Sequence, residues 1–207
     1  MTGNKQKRKT GILGGTFNPV HTGHLMIAEN AYDECGLDEV WLMPAHIPPH
    51  KKSAHILDDA LRLEMVRCAV AGQSYLTASD FEIRRGSVSY TSETLKALNR
   101  MYPENEFYFI MGADSLYSIE EWHHPAEIFK LANILVAARD EAGYRDLKQR
   151  AEVLGQIYHA KIHIMSVPKF EISSTMIRER VAAGRTIKYF VPEQVREFIY
   201  KNNIYQK

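Results

Sequence analysis

The 207-residue sequence has only two cysteines, Cys35 and Cys68, and no long apolar run. Two cysteines cannot build a disulfide framework or a cysteine-rich zinc site, so we expect a protein of the reducing cytoplasm. No apolar segment approaches the roughly 18 residues of a membrane span, and the first residues lack the apolar core of a signal peptide. The net charge of +1 gives no basis for a surface that coats nucleic acid. We therefore expect neither a membrane nor a nucleic acid as a partner.

Basic residues cluster at the N-terminus, where Lys5, Lys7, Arg8 and Lys9 occur close together. A frayed, solvated tail over residues 1–8 explains them better than a nucleic-acid-binding arm does. The apolar fraction of 45% and the charged fraction of 25% are those of an ordinary globular protein. The length predicts a single domain over residues 1–207, with residues 185–207 as a small C-terminal helical extension.

Strand and helix patterns alternate along most of the chain. The apolar patterns predict six strands, over residues 10–15, 39–43, 76–83, 106–111, 133–138 and 161–167. Helices are predicted between the first two strands, ending near Gly36, and over residues 59–71, 91–101, 144–154, 174–183 and 192–200. This alternation predicts an α/β fold that is Rossmann-like and doubly wound, with a mostly parallel sheet and helices on both faces. In such folds ligands bind at the carboxyl ends of the strands.

The segment 14–24 has the sequence GGTFNPVHTGH and lies between the first predicted strand and the first predicted helix. Gly14 and Gly15 allow a ligand to approach the backbone closely. The helix start offers unpaired N–H groups and a partial positive charge, and His21 and His24 add hydrogen-bond donors. The alternatives are two locally bonded turn histidines or half of a metal site. The spacing of the two histidines lacks the pattern of a zinc-protease helix, so the segment predicts a phosphate site.

Two further segments carry basic residues or helix starts that could meet phosphate. The first is a proline-rich loop over residues 44–52 that contains Lys51, a point charge suited to a polyphosphate. The second has the sequence ISSTMIR over residues 172–178, in which Ser173 or Ser174 caps a helix and Arg178 lies one turn further on. Taken alone, these segments are better explained as a solvated loop and an ordinary capped helix.

The fourth predicted strand ends at Gly112, followed by Asp114, where an α/β nucleotide site places ribose or base contacts. Asp114 has the alternative role of N-cap for the next helix. Trp122 and the preceding Tyr117 could offer aromatic faces to a flat ring, although packing is the commoner role of a tryptophan.

The segment 14–24 resembles the nucleotidyltransferase superfamily with a T/H-x-G-H signature, and within it the bacterial nicotinate mononucleotide adenylyltransferases. Residues 172–178 resemble the second signature of that superfamily, and the resemblance extends from about Lys9 to the C-terminus. It implies adenylyl transfer from ATP to nicotinate mononucleotide, giving nicotinate adenine dinucleotide and pyrophosphate in NAD biosynthesis. Mg²⁺ would come with the ATP phosphates, no protein metal ligand is implied, and a homodimer is a possible assembly.

The motifs and the resemblance together assign three sets of residues. Catalysis is assigned to His21, His24, Lys51 and Arg178. ATP binding is assigned to Gly14, Gly15, Thr16, Phe17, His24, Gly112, Asp114, Ile172, Ser173, Ser174, Thr175 and Arg178. Mononucleotide binding is assigned to Asn18, His21, Lys51, Tyr90, Thr91, Tyr117 and Trp122.

Three alternative functions fit the sequence less well than adenylyl transfer does. In enzymes that act on phosphopantetheine the first motif is similar to Gly-Ser-Phe-Asp-Pro, whereas in this chain it is Gly-Thr-Phe-Asn-Pro. A non-catalytic nucleotide sensor would not need both histidines and an intact second signature. A dehydrogenase needs G-x-G-x-x-G after the first strand, which this sequence lacks.

Overall fold

The computed structural model describes residues 7–49, 56–138, 141–169 and 171–206. In these residues six strands form one parallel sheet in the order β3-β2-β1-β4-β5-β6. The strands are β1 (Arg8–Gly15), β2 (Glu39–Pro44), β3 (Leu76–Ala78), β4 (Asn105–Gly112), β5 (Asn133–Ala138) and β6 (Ile162–Ser166). The strand order is that of a doubly wound dinucleotide-binding sheet, so the predicted fold class is confirmed.

Helices connect the strands and follow the last one. They are α1 (Thr22–Cys35), α2 (Asp59–Val70), α3 (Phe81–Arg85), α4 (Thr91–Met101), α5 (Ala113–Ser118), α6 (Pro125–Leu131), α7 (Glu141–Tyr158), α8 (Ser174–Ala182) and α9 (Glu193–Lys201). A short 3₁₀ helix follows α5. No helix in the described part of the chain is long and apolar enough to span a membrane.

The sheet separates two apolar cores because successive residues of a strand point to opposite faces. Leu13 belongs to one core, which includes Val66 of α2 and Val195 of α9. The adjacent Ile12 belongs to the other core, which includes Leu95 of α4. Helices therefore cover both faces, as the sequence predicts.

The C-terminal extension packs into the core that contains Leu13. Its residues Ile187, Val191, Ile199 and Ile204 are all buried there. The extension thus covers the same face of the sheet as α1 and α2, next to the loop that follows β1.

The predicted strand over residues 76–83 is wrong in its second half. Only Leu76–Ala78 is strand, and Phe81–Arg85 is a short helix that ends at Gly86 with a left-handed φ of 63°. Phe81 belongs to the core that contains Ile12, and Glu82 is buried beside Thr94 of α4. Short apolar runs do not distinguish a strand from a helical turn.

Several predicted boundaries also differ from the structure. The predicted tail overlaps β1, since the Arg8 N–H donates to the carbonyl of Glu104 at 3.1 Å. The sequence favours Thr91 or Ser92 as the N-cap of the helix over residues 91–101, whereas the N-cap of α4 is Tyr90. Pro192 is the N-cap of α9 instead of its first helical residue. The helix predicted over residues 144–154 extends over Glu141–Tyr158.

Candidate active site

The candidate site lies at the carboxyl edge of the sheet, between β1 and β4. These strands are neighbours in the sheet, yet the chain runs outward from β1 to β2 and β3 before it returns to form β4. The connections therefore diverge at this point and leave a crevice, which is where α/β folds bind ligands. Gly14 and Gly15 end β1 on one side of the crevice, and Gly112 ends β4 on the other.

The two glycines at the end of β1 have different roles. A Cβ atom on Gly15 would lie 3.1 Å from the buried ring of Phe17, so the tight loop itself requires glycine there. At Gly14 the nearest atom would be 3.7 Å away, on the ring of Phe109, and the residue is exposed. The backbone of Gly14 is therefore open to a ligand.

His21 and His24 stand together at the start of α1. His21 is the N-cap, and the two imidazole rings stack with their centroids 3.7 Å apart. The backbone N–H of His21 donates to Nδ1 of His24 at 3.2 Å. A nitrogen that accepts this bond carries no proton, so the proton of neutral His24 is on Nε2. The backbone thus fixes His24 as a hydrogen-bond donor through Nε2.

The start of α8 contacts the loop between β1 and α1, although the two are more than 150 residues apart in the sequence. Of the two predicted residues Ser173 and Ser174, Ser173 is the N-cap, and its hydroxyl accepts the N–H of Met176 at 3.2 Å. The Ser174 hydroxyl donates to the carbonyl of Pro19 at 2.8 Å. Arg178 donates from Nη1 to the carbonyl of Asn18 at 2.8 Å. The fold therefore brings the two helix starts into one site.

Arg178 also donates from Nη2 to the hydroxyl of Thr175 at 3.1 Å. These contacts with Asn18 and Thr175 engage two of the five N–H groups of the guanidinium. Arg178 can therefore hold the loop and contact an anion at the same time.

A cavity of about 240 Å³ opens beside the glycines and extends toward α4. Its wall includes five of the predicted site residues, namely Gly14, Gly15, Thr16, Thr91 and Trp122. Trp122 also packs edge-on against Phe109, with 6.2 Å between ring centroids. Packing and ligand contact are thus compatible roles for Trp122.

Glu82 is a buried carboxyl group in the wall of the same cavity. The hydroxyl of Thr94 donates to it at 2.7 Å. Burial raises the pKa of Glu82, while hydrogen bonds from Thr94 and Ser89 oppose that rise. Glu82 is absent from the predicted site because residues 76–83 are predicted as strand.

Other predicted residues lie elsewhere at this edge. Tyr90 stacks on His123, with ring centroids 4.3 Å apart. Tyr117 is 48% exposed and lines a separate surface depression next to Arg150, so its side chain is not in the wall of the cavity. Asp114 is exposed in the first turn of α5, and its alternative role as N-cap is wrong because Gly112 occupies that position. Ile172 packs against the apolar core near α8.

Lys51 falls outside the described residues. The described residues contain no group of three or more His, Cys, Asp or Glu side chains that could hold a metal ion. The groups of the candidate site that the structure does describe are hydrogen-bond donors, a guanidinium, the carboxyl group of Glu82 and an aromatic wall.

The family resemblance implies only a supporting role for Arg62, yet this residue anchors the loop that follows β1. Its side chain is fully buried and donates to the carbonyls of Thr16 at 2.8 Å and Leu57 at 3.0 Å, and it pairs with Asp59. Asp59 also bonds His46 of the proline-rich loop. An arginine between Leu61 and Leu63 on the buried face of a helix is the signal that could have identified it.

The fold and the position of the site define a nucleotide-binding protein of the Rossmann-like α/β class. The sequence matches the cytidylyltransferase-like family over residues 12–180. It is 40% identical over 198 residues to the probable nicotinate-nucleotide adenylyltransferase of Lachnoclostridium phytofermentans, covering 96% of this chain and 99% of that protein. It is 43% identical over 197 residues to the probable nicotinate-nucleotide adenylyltransferase of Exiguobacterium sibiricum, covering 95% and 98%. The chain therefore belongs to the cytidylyltransferase-like family and, within it, to the nicotinate-nucleotide adenylyltransferases.

A solved structure shares the fold. The Plasmodium falciparum nicotinic acid mononucleotide adenylyltransferase complexed with NaAD has a TM-score of 0.75 to this chain at 20% identity. The match covers 96% of this chain and 97% of that one. At this level of identity the likeness concerns the fold alone.

Proposed function

We propose that this chain transfers the adenylyl group of ATP to nicotinate mononucleotide, giving nicotinate adenine dinucleotide and pyrophosphate. One observation carries the proposal beyond family membership. The starts of α1 and α8 meet at one loop, next to a cavity whose wall includes Thr91 and Trp122. This arrangement offers donors for phosphates on one side and a flat-ring pocket on the other.

The reaction joins one oxygen of the mononucleotide phosphate to the α-phosphorus of ATP. The bond between that phosphorus and the oxygen bridging to the β-phosphate breaks, and pyrophosphate leaves with the bonding electrons. The attacking phosphate is already ionised at neutral pH, so no general base is needed. Positioning and charge stabilisation then account for the catalysis.

The phosphate side of the site uses donors from both helix starts. His24 donates from Nε2 to the α-phosphoryl oxygens, and His21 contacts the reacting phosphates. Arg178 and Lys51 neutralise the departing pyrophosphate, and Thr175 lies beside Arg178 at the start of α8. Because its hydroxyl is bound to Pro19, Ser174 supports the loop and offers its backbone to the ligand. Mg²⁺ enters as part of the MgATP substrate.

The remaining binding residues divide between the two substrates. The α-phosphate of ATP is held by the backbone of Gly14, Gly15, Thr16 and Phe17. The ATP side is completed at the end of β4 by Gly112 and Asp114, and at the start of α8 by Ile172 and Ser173.

On the mononucleotide side, Trp122 stacks on the pyridine ring, and the backbone around Thr91 binds the carboxylate. The mononucleotide side also includes Asn18, Tyr90 and Tyr117. Of these, Tyr117 lies outside the cavity wall, in the neighbouring surface depression. A pocket that binds a carboxylate with N–H donors disfavours the carboxamide, because the amide NH₂ would face those donors.

The whole chain acts as one domain in this proposal, and the free cysteines Cys35 and Cys68 favour a location in the reducing cytoplasm. A homodimer is compatible with the proposal because both helix starts and the cavity come from one chain.

The test is pyrophosphate release by the purified protein with ATP and Mg²⁺. Nicotinate mononucleotide, nicotinamide mononucleotide and phosphopantetheine are added in separate reactions, and His24→Ala is the inactive control. We expect release with nicotinate mononucleotide and little with the other two. Release with phosphopantetheine alone would contradict the proposed substrate, and release without any acceptor would contradict adenylyl transfer.

A further inference from the structure

The loop over residues 16–19 has a conformation that needs external support. Phe17 adopts a left-handed φ of 47°, which is costly for a residue with a bulky side chain. Donors from distant elements hold the loop on both sides of Phe17. Arg62 of α2 binds the carbonyl of Thr16, and Ser174 of α8 binds the carbonyl of Pro19, each at 2.8 Å.

Asn18 is the centre of this support and is only 4% exposed. Its carbonyl accepts from Arg178 at 2.8 Å. Its side-chain oxygen Oδ1 accepts from the hydroxyl of Tyr205 at 2.7 Å and lies 3.5 Å from the backbone N–H of Leu57. A backbone N–H can only donate, so the atom that faces Leu57 is the oxygen, and Tyr205 is the donor to it.

Tyr205 reaches Asn18 from the other end of the chain, 187 residues away in the sequence. The segment that carries it is firmly anchored, because Ile204 is 5% exposed and its N–H donates to the carbonyl of Ile199 at 3.0 Å. Burial raises the pKa of the Tyr205 hydroxyl, which keeps it protonated and able to donate at neutral pH.

A second contact joins the C-terminal extension to the site. The N–H of Thr22, the first residue of α1, donates to the carbonyl of Phe190 at 2.9 Å. Both contacts place the extension directly against the loop and helix that carry the first motif.

We propose that Tyr205 is a positioning residue of the active site, whose hydroxyl fixes Asn18 and thereby the loop over residues 16–19. Through this bond the C-terminal extension completes the active site as well as the apolar core. The expected change in kcat rests on the proposed function, whereas the expected loss of order in the loop rests on the structure alone.

The test uses Tyr205→Phe, which removes one hydroxyl and keeps the ring. The matched control is Tyr200→Phe, on a tyrosine that is 37% exposed on α9. We expect Tyr205→Phe to lower kcat about fivefold to tenfold, the scale of one hydrogen bond, with a smaller change in either KM. Hydrogen exchange of the amides in residues 16–20 should accelerate by a similar factor, and the control should change neither quantity.

A double-mutant cycle with Asn18→Ala tests the route of the effect. If Tyr205 acts through Asn18, Tyr205→Phe lowers kcat by less than about twofold when it is made in the Asn18→Ala variant. If Asn18→Ala does not fold, Asn18→Ser takes its place in the cycle. An unchanged kcat in Tyr205→Phe, or an equal loss in both backgrounds, would overturn the proposal. If the wild-type protein has no adenylyltransferase activity, the proposed function fails, and the exchange rates alone decide whether Tyr205 orders the loop.

Discussion

Replacing Arg62 by methionine should strongly destabilise the protein. The change keeps most of the apolar stem but removes the guanidinium, which is fully buried and bonds three groups. The carbonyls of Thr16 and Leu57, which are half-buried, then lose their donors, at about 1–3 kcal/mol each. Asp59 loses a partner too, but its side chain is 21% exposed and can be hydrated, so its share is small.

These contributions sum to a loss of about 2–6 kcal/mol in the free energy of unfolding. For a chain of this length the melting temperature should fall by roughly 4–24 °C. Urea denaturation and a thermal melt measure the two quantities. Since Arg62 holds the Thr16 carbonyl, kcat should also fall at temperatures where the variant stays folded.

Arg67→Met is the matched control, because it lies on the same helix and pairs with Glu64 at 3.2 Å while its side chain is 55% exposed. Exposed pairs of this kind contribute about 0.5 kcal/mol or less. If the two variants differ by less than about 1 kcal/mol, the guanidinium of Arg62 does not support the loop as inferred, since removing a buried, paired charge costs more than that.

Three further changes test the site and the chemistry of the thiols. His24→Ala should lower kcat by about 10²–10³-fold with little change in the melting temperature, because it removes a donor to the reacting phosphate. The control is His163→Ala, on a histidine whose side chain is 54% exposed, and it should retain the wild-type rate. Trp122→Ala should raise the KM for the mononucleotide by about tenfold and that for ATP much less, and equal changes in both would show that Trp122 only packs. Burial raises the pKa of Cys35 to about 11, so about one thiol in a thousand is ionised at pH 8. Alkylation of Cys35 by iodoacetamide in a Cys68→Ser variant should therefore accelerate about tenfold per pH unit up to pH 10, and a plateau near pH 9 would contradict the assigned pKa.

The sequence alone determines the fold class and the place of the site, because these depend on local patterns. Apolar periodicity indicates alternating strands and helices, and that alternation predicts a doubly wound sheet. Gly36 and Ser173 mark helix ends through their own backbone or side chain, so their roles were visible before the structure. The first motif predicts a strand, a turn and a helix start, and the structure confirms that order.

Only the tertiary structure decides which distant groups meet at the site. Asn18 receives bonds from Arg178 and Tyr205, and Thr16 receives one from Arg62. No local pattern in the sequence indicates these contacts, because they arise where α2, α8 and the C-terminal extension pack around one loop. The same applies to Glu82, whose burial depends on the sheet and α4 beside it. The residues proposed to contact phosphate thus follow from local motifs in the sequence, whereas the residues that hold their loop in place were determined by packing.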